Sequence, residues 1–317
     1  MAQDPFFSRM TNSIYNSPAS SLTNLDGETS KGQITLNYRD QWSKVSNAAF
    51  RTGSIEGNFR IYESSIDCWN IGAVLLNDRS NNAILKTNNI FVNTAYSRKF
   101  SQQRTRSNIV TVGASLSYNS TNIDIDDLWF GRQYDLTNFE LSQNMSNGET
   151  TILDNRRYFS ISAGARWIAR FDTKHRLTLS LASHHINKPT VGLNEDQTSL
   201  ASRIFTSAIY QGSVTRFLTQ DIGLSYTQQL NSFQLNPFYQ IKYALPDNDD
   251  VSLLMALSAR VANSINGVLL DAIIPSVGMR SREWEALLSY DINVSSLQQT
   301  TPNTGALELT LGYYLKS

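Results

Sequence analysis

Only one cysteine, Cys68, occurs in the 317-residue chain, so an intrachain disulfide is excluded and no thiol pair is on hand for a metal. Histidine is scarce as well, with His175, His184 and His185 the only three. No run of 18 apolar residues exists, so no transmembrane helix is expected. Neither sign of charge is in excess, at 27 basic against 27 acidic residues, which argues against nucleic acid as a partner. A G-x-S-x-G turn is missing, and with it the usual signature of a serine hydrolase. No signal peptide is visible either. Met1 followed at once by Ala2-Gln3-Asp4-Pro5 reads as a start codon placed on a mature N-terminus, so a precursor with a signal sequence is expected.

What the chain has is alternation. From about Gly32 to the last few residues, apolar and polar side chains exchange places with no helical stretch between them. Phe159, Ile161, Ala163, Ala165, Trp167, Ala169 and Phe171 fall on one side of a single extended segment, opposite Ser160, Ser162, Gly164, Arg166 and Arg170. A period of two over so many residues describes a strand with one oily and one wet face. Soluble sandwiches use strands of about 5–6 residues, whereas a tilted bilayer crossing takes about 9–11. The expected fold is therefore all-β, a transmembrane antiparallel β-barrel. A hydrophobic fraction of only 40% and a negative mean hydropathy agree, because half of each strand would face water.

Alternation and turn chemistry together place about fourteen strands, the first near 32–42 and the last near 305–316. Residues 32–317 would form the barrel. An even count puts both termini on one side, and because short turns face the periplasm and long loops face outward, both termini are expected there. Closure would pair the last strand with the first and remove exposed edges. Residues 1–31 do not alternate and are expected to form a periplasmic plug, since Phe6 and Phe7 are costly to leave in water.

Several residue groups were candidates for chemistry. His184 and His185 stand at the end of one strand, near Ser180 and Ser183, and lining the lumen or mouth is their expected role; adjacent strand residues point to opposite faces, so the two cannot ligate one metal unless a bulge intervenes. Asp124, Asp126 and Asp127 lack the glycine and distal glutamate of a calcium loop and read as a solvated acidic stretch. Trp129 and Phe130, in the longest connection, must either fold back into the barrel mouth or meet a protein partner. Arg98, Lys99, Arg104 and Arg106 gather at the turn after the fourth strand, suited to lipid headgroups. Arg39, Arg60, Arg166, Arg170 and Arg260 should face inward with Glu56, Glu285 and Glu308. No catalytic, cofactor-binding or metal-binding residue is expected, and Trp129, Phe130, Phe6 and Phe7 are the candidates for partner binding.

The opening Ala2-Gln3-Asp4-Pro5-Phe6-Phe7-Ser8, then Asn16-Ser17-Pro18-Ala19, then Leu36-Asn37-Tyr38-Arg39-Asp40-Gln41-Trp42, resembles the mature N-terminus of the PorP/SprF family of the type IX secretion system. Asp271-Ala272-Ile273-Ile274-Pro275-Ser276-Val277-Gly278, Leu288-Ser289-Tyr290-Asp291 and Leu307-Glu308-Leu309 extend the resemblance to the end of the chain, and Phe130-Gly131-Arg132-Gln133 adds the long connection. The resemblance implies a non-enzymatic outer-membrane barrel beside the type IX translocon. Its implied partners are a very large secreted adhesin with a type IX C-terminal domain, components of the secretion or gliding machinery, and outer-membrane lipid. The rival expectation is a passive pore for a small solute.

Overall fold

The computed structural model describes residues 7, 13–22, 30–41, 49–80, 84–102, 106–124, 131–135, 140–141, 155–191, 198–246, 248–264, 267–294 and 305–316. Strands dominate them. In chain order they are β1 (Ser30–Gln41), β2 (Phe50–Glu63), β3 (Asp67–Ser80), β4 (Leu85–Gln102), β5 (Ser107–Ile123), β6 (Tyr134–Asp135), β7 (Glu140–Leu141) and β8 (Asn155–Arg170). There follow β9 (His175–His184), β10 (Arg203–Ser213), β11 (Leu218–Gln229), β12 (Ser232–Leu245), β13 (Asn248–Ser264), β14 (Gly267–Arg280), β15 (Trp284–Asn293) and β16 (Gly305–Lys316). β6 and β7 pair with each other alone, and the other fourteen form one closed antiparallel barrel in which β1 meets β16.

The expected fourteen-stranded barrel is thus the observed one, built of strands 10 to 18 residues long. Such lengths suit a tilted crossing of a hydrocarbon layer about 30 Å thick. Side-chain parity does the rest. Large apolar residues face away from the barrel, with Val92 63% and Phe159 59% exposed, whereas the opposite parity buries Ser, Thr, Asn and charged groups. Exposed apolar area on this scale belongs against lipid rather than water.

The seam between first and last strands shows the two faces separately. Outside, Ile34 opposes Tyr313, Leu36 opposes Leu311 and Tyr38 opposes Leu309. Inside, Thr310 Oγ1 donates to Asn37 Oδ1 at 2.7 Å and Arg39 pairs with Glu308 at 3.1 Å. Arg39 also reaches Asp291 on β15 at 2.6 Å, Arg260 on β13 joins that carboxylate at 2.8 Å, and Arg260 holds Asp271 on β14 at 2.6 Å. This chain of two arginines and three carboxylates crosses five successive strands and the seam.

Ser30 and Lys316 lie at one mouth with the short connections 64–66, 103–106, 171–174, 214–217, 246–247 and 281–283. We call it the terminal mouth. The end of β5 and the start of β8, and the end of β9 and the start of β10, lie at the opposite, loop mouth.

Candidate functional site

A barrel wall whose inner face is polar can hold irregular backbone, because its side chains supply the hydrogen bonds that secondary structure would otherwise make. Residues 13–22 use the wall in this way. A turn closes where Ser17 N donates to Ser13 O at 3.1 Å, and a second where Ser20 N donates to Ser17 O at 2.9 Å. Glu56 on β2 anchors the first turn, accepting from Ile14 N and from Ser13 Oγ, both at 2.8 Å. Carbonyls of the segment meet donors from the wall. His184 Nε2 donates to Asn16 O at 2.9 Å, Asn93 Nδ2 to Pro18 O at 3.1 Å, Asn58 Nδ2 to Ser20 O at 2.9 Å and Cys68 Sγ to Leu22 O at 3.4 Å. Arg166 reaches Ser21 O at 3.5 Å, and Ser21 Oγ shares a hydrogen bond with Ser97 Oγ at 2.9 Å.

Two inward glycines make room for the chain. Gly113 on β5 and Gly164 on β8 are register partners. A Cβ on Gly113 would sit 2.2 Å from Pro18 O, and one on Gly164 would sit 3.0 Å from Ser17 Oγ and 3.3 Å from Pro18 Cδ. Gly113 must be glycine for the segment to lie where it does, and at Gly164 a side chain would press Ser17 and Pro18 by a few tenths of an ångström.

An apolar cluster secures the other side. Phe7, Ile14 and Tyr15 pack with inward-facing Val74, Leu76 and Phe91. The rings of Phe7 and Tyr15 meet edge-on at 6.3 Å, as do those of Tyr15 and Phe91 at 5.7 Å, while the Arg203 guanidinium covers Tyr15 at 5.1 Å. Ring pairs in this geometry contribute about 0.5–1.5 kcal/mol beyond their buried area. Nearer the terminal mouth, inward Cys68, Ile109 and Ile168 form a second small cluster.

The partner candidates divide. Phe7 is buried in the lumen, whereas Phe6, Trp129 and Phe130 lie outside the described residues, together with Asp126, Asp127 and Arg104. The expectation that His184 and His185 point apart is corrected. β9 ends at His184, and His185 turns into the left-handed region at φ 56°, which brings both rings inside. His185 Nδ1 shares a 2.7 Å hydrogen bond with Ser160 Oγ, and His175, at the other end of β9, stacks on Tyr210 and shares a 2.6 Å bond with its hydroxyl. Among the described residues no group of three His, Cys, Asp or Glu side chains is placed to hold a metal.

Sequence reasoning did not single out Glu56, Asn58, Asn93, Gly113 or Gly164 as holders of the segment. One signal was available. Val74, Leu76 and Phe91 are apolar on the parity that is elsewhere polar, and an apolar side chain facing a wet lumen calls for an internal neighbour.

The sequence model of the type IX secretion system membrane proteins PorP/SprF matches residues 1–313. The chain belongs to the PorP/SprF family. It is accordingly an outer-membrane β-barrel of the type IX secretion system. No curated protein matches the chain. Among solved structures, a Pseudomonas aeruginosa FadL homologue is similar at a TM-score of 0.55 and 10% identity, covering 96% of this chain and 94% of that one. The TodX deltaS2S3 mutant, a monoaromatic hydrocarbon channel, is similar at 0.53 and 10% identity, with the same coverage of 96% and 94%. At such identities these neighbours speak to the barrel fold of the PorP/SprF chain alone.

Proposed function

We propose that this PorP/SprF barrel is a non-enzymatic accessory of type IX secretion that binds a large secreted adhesin through its C-terminal domain and anchors it at the cell surface, as gliding requires. In this reading the loop mouth faces outward and both ends of the chain lie in the periplasm, in keeping with short turns on that side. The observation that carries the reading is the occupied lumen. Residues 13–22 are fastened to β2, β3, β4, β8 and β9 by hydrogen bonds and buried rings, which favours a rigid holder over a conduit. A passive pore for a small solute would need that segment to leave.

The test is a mild-detergent pull-down of the barrel from its native membrane with mass spectrometry of what comes with it. Recovery of a very large adhesin or of secretion subunits is expected. Recovery of the barrel alone, together with steady ion conductance in planar bilayers, would reject the anchor and leave the pore.

A further inference from the structure

A cavity of about 360 Å³ opens at the terminal mouth, on the side of the lumen that residues 13–22 leave free, its wall including the turn Asp172–Lys174. Six cationic side chains line it against three carboxylates among the described residues. Two of those carboxylates are already engaged. Asp172 Oδ1 accepts from the N–H groups of Lys174 and His175 at 2.6 and 2.8 Å, and Glu285 accepts from the Tyr314 hydroxyl at 3.0 Å and faces Arg280 at 3.6 Å. The third, Asp221, takes hydrogen bonds from Gln240, on Oδ2 at 3.3 Å, and from Gln211, and faces Arg176, Lys242 and Arg280, while its buried Oδ1 has no hydrogen-bond partner among the described residues. Arg170 forms no ion pair with any described residue, and Lys174 has only the attraction of the Asp172 carboxylate two residues before it.

We propose that this cavity binds a short acidic peptide segment entering from the terminal mouth, with ligand carboxylates on Arg170 and Lys174 and a ligand N–H donated to Asp221 Oδ1. Both halves of the pattern are needed to name the ligand. Surplus cations at the rim select an anion, and guanidinium and ammonium groups bind carboxylate and phosphate alike. The unsatisfied acceptor deeper in separates those two. A buried oxygen lacking a donor is costly, and inorganic phosphate would set negative charge beside Asp221, whereas an acidic peptide brings carboxylates and N–H donors on one backbone. Position removes the lipid alternative, since the cavity lies within the lumen and away from the apolar outer face. The proposal is independent of any adhesin at the loop mouth.

The test uses the full chain in zwitterionic detergent and a rhodamine-labelled peptide, Ser-Glu-Gly-Glu-Gly-Glu, followed by fluorescence anisotropy. Binding is expected to be about tenfold or more tighter than for the matching peptide with Gln in place of Glu, and to weaken by a similar factor in the double variant Arg170→Ala/Lys174→Ala. Asp221→Asn keeps the shape of the wall, and should weaken the peptide while making inorganic phosphate a better competitor. Arg98→Ala, outside the cavity, should change nothing, and heat-modifiable gel migration checks that each variant is a closed barrel. Equal binding of the Gln peptide, indifference to the double variant, or displacement by phosphate that Asp221→Asn leaves unaltered would each overturn the proposal.

Discussion

Gly113 carries a demand on its surroundings that no neighbouring residue of β5 shares. Any side chain there would meet the Pro18 carbonyl at a separation no Cβ tolerates, and the neighbour in the way is backbone. Overpacking of this kind costs about 1–3 kcal/mol, and the cheaper relief is for residues 13–22, which lie outside the strand ladder, to shift while the barrel stays closed. Gly113→Val should therefore expose residues 13–22 without opening the barrel. In a Cys68→Ser background, a cysteine placed at Ser20 is expected to resist maleimide in the parent and to react rapidly beside Gly113→Val. Gly53→Val, where an added Cβ meets only Asn37 O at 4.0 Å, should leave labelling slow. Fast labelling in the parent would mean that the segment is not held.

At the scale of elements, turns show how little sequence fixes a tight connection. Between β8 and β9 the chain reverses over residues 171–174, with Asp172 standing in for the missing strand bonds. The Lys174 N–H, and after it the His175 N–H, hold the Asp172 carboxyl below the usual aspartate range. A lowered folded pKa means that the stabilisation is present above the ordinary unfolded value of about 3.9 and is lost as pH falls through the lower folded value. Asp172→Ala should thus melt below the parent at neutral pH, with the gap narrowing as pH falls below about 3.9. A gap that stays constant with pH would assign the turn's stability elsewhere.

The same scale explains what could be read in advance. Alternation reports which face a residue occupies, so the fourteen barrel strands and the inward set of Arg39, Arg166, Glu56, Glu285 and Glu308 were legible. It does not report what an inward residue touches. Asn93 and Ser97 follow the same rule of parity, yet one binds the Pro18 carbonyl and the other Ser21. β6 and β7 went unforeseen because two-residue strands have no period to detect. The histidines line the lumen as expected, but they do not point to opposite faces, because a left-handed residue at a strand end rotates its side chain off the alternation.

For the whole molecule the decisive junction is the one joining the ends of the chain. Arg39, Asp291 and Glu308 have side chains only 5%, 3% and 1% exposed, so removing one leaves the others charged and without water. Breaking such a pair from one side costs about 3–5 kcal/mol, whereas removing matched partners together costs far less. Arg39→Met should lower the urea midpoint of barrel unfolding in micelles by an amount of that order, and a variant that also carries Glu308→Leu and Asp291→Leu should recover part of it. Equal midpoints for Arg39→Met and the parent would deny the network a structural part.

Closure has a mechanical side. A sheet with a free edge peels one rung at a time, but β1 bonded to β16 leaves this wall with no edge from which peeling could start. A pull along the barrel axis would shear many backbone rungs at once, so the time for which the barrel resists traction is set by its rate of unfolding rather than by its equilibrium stability.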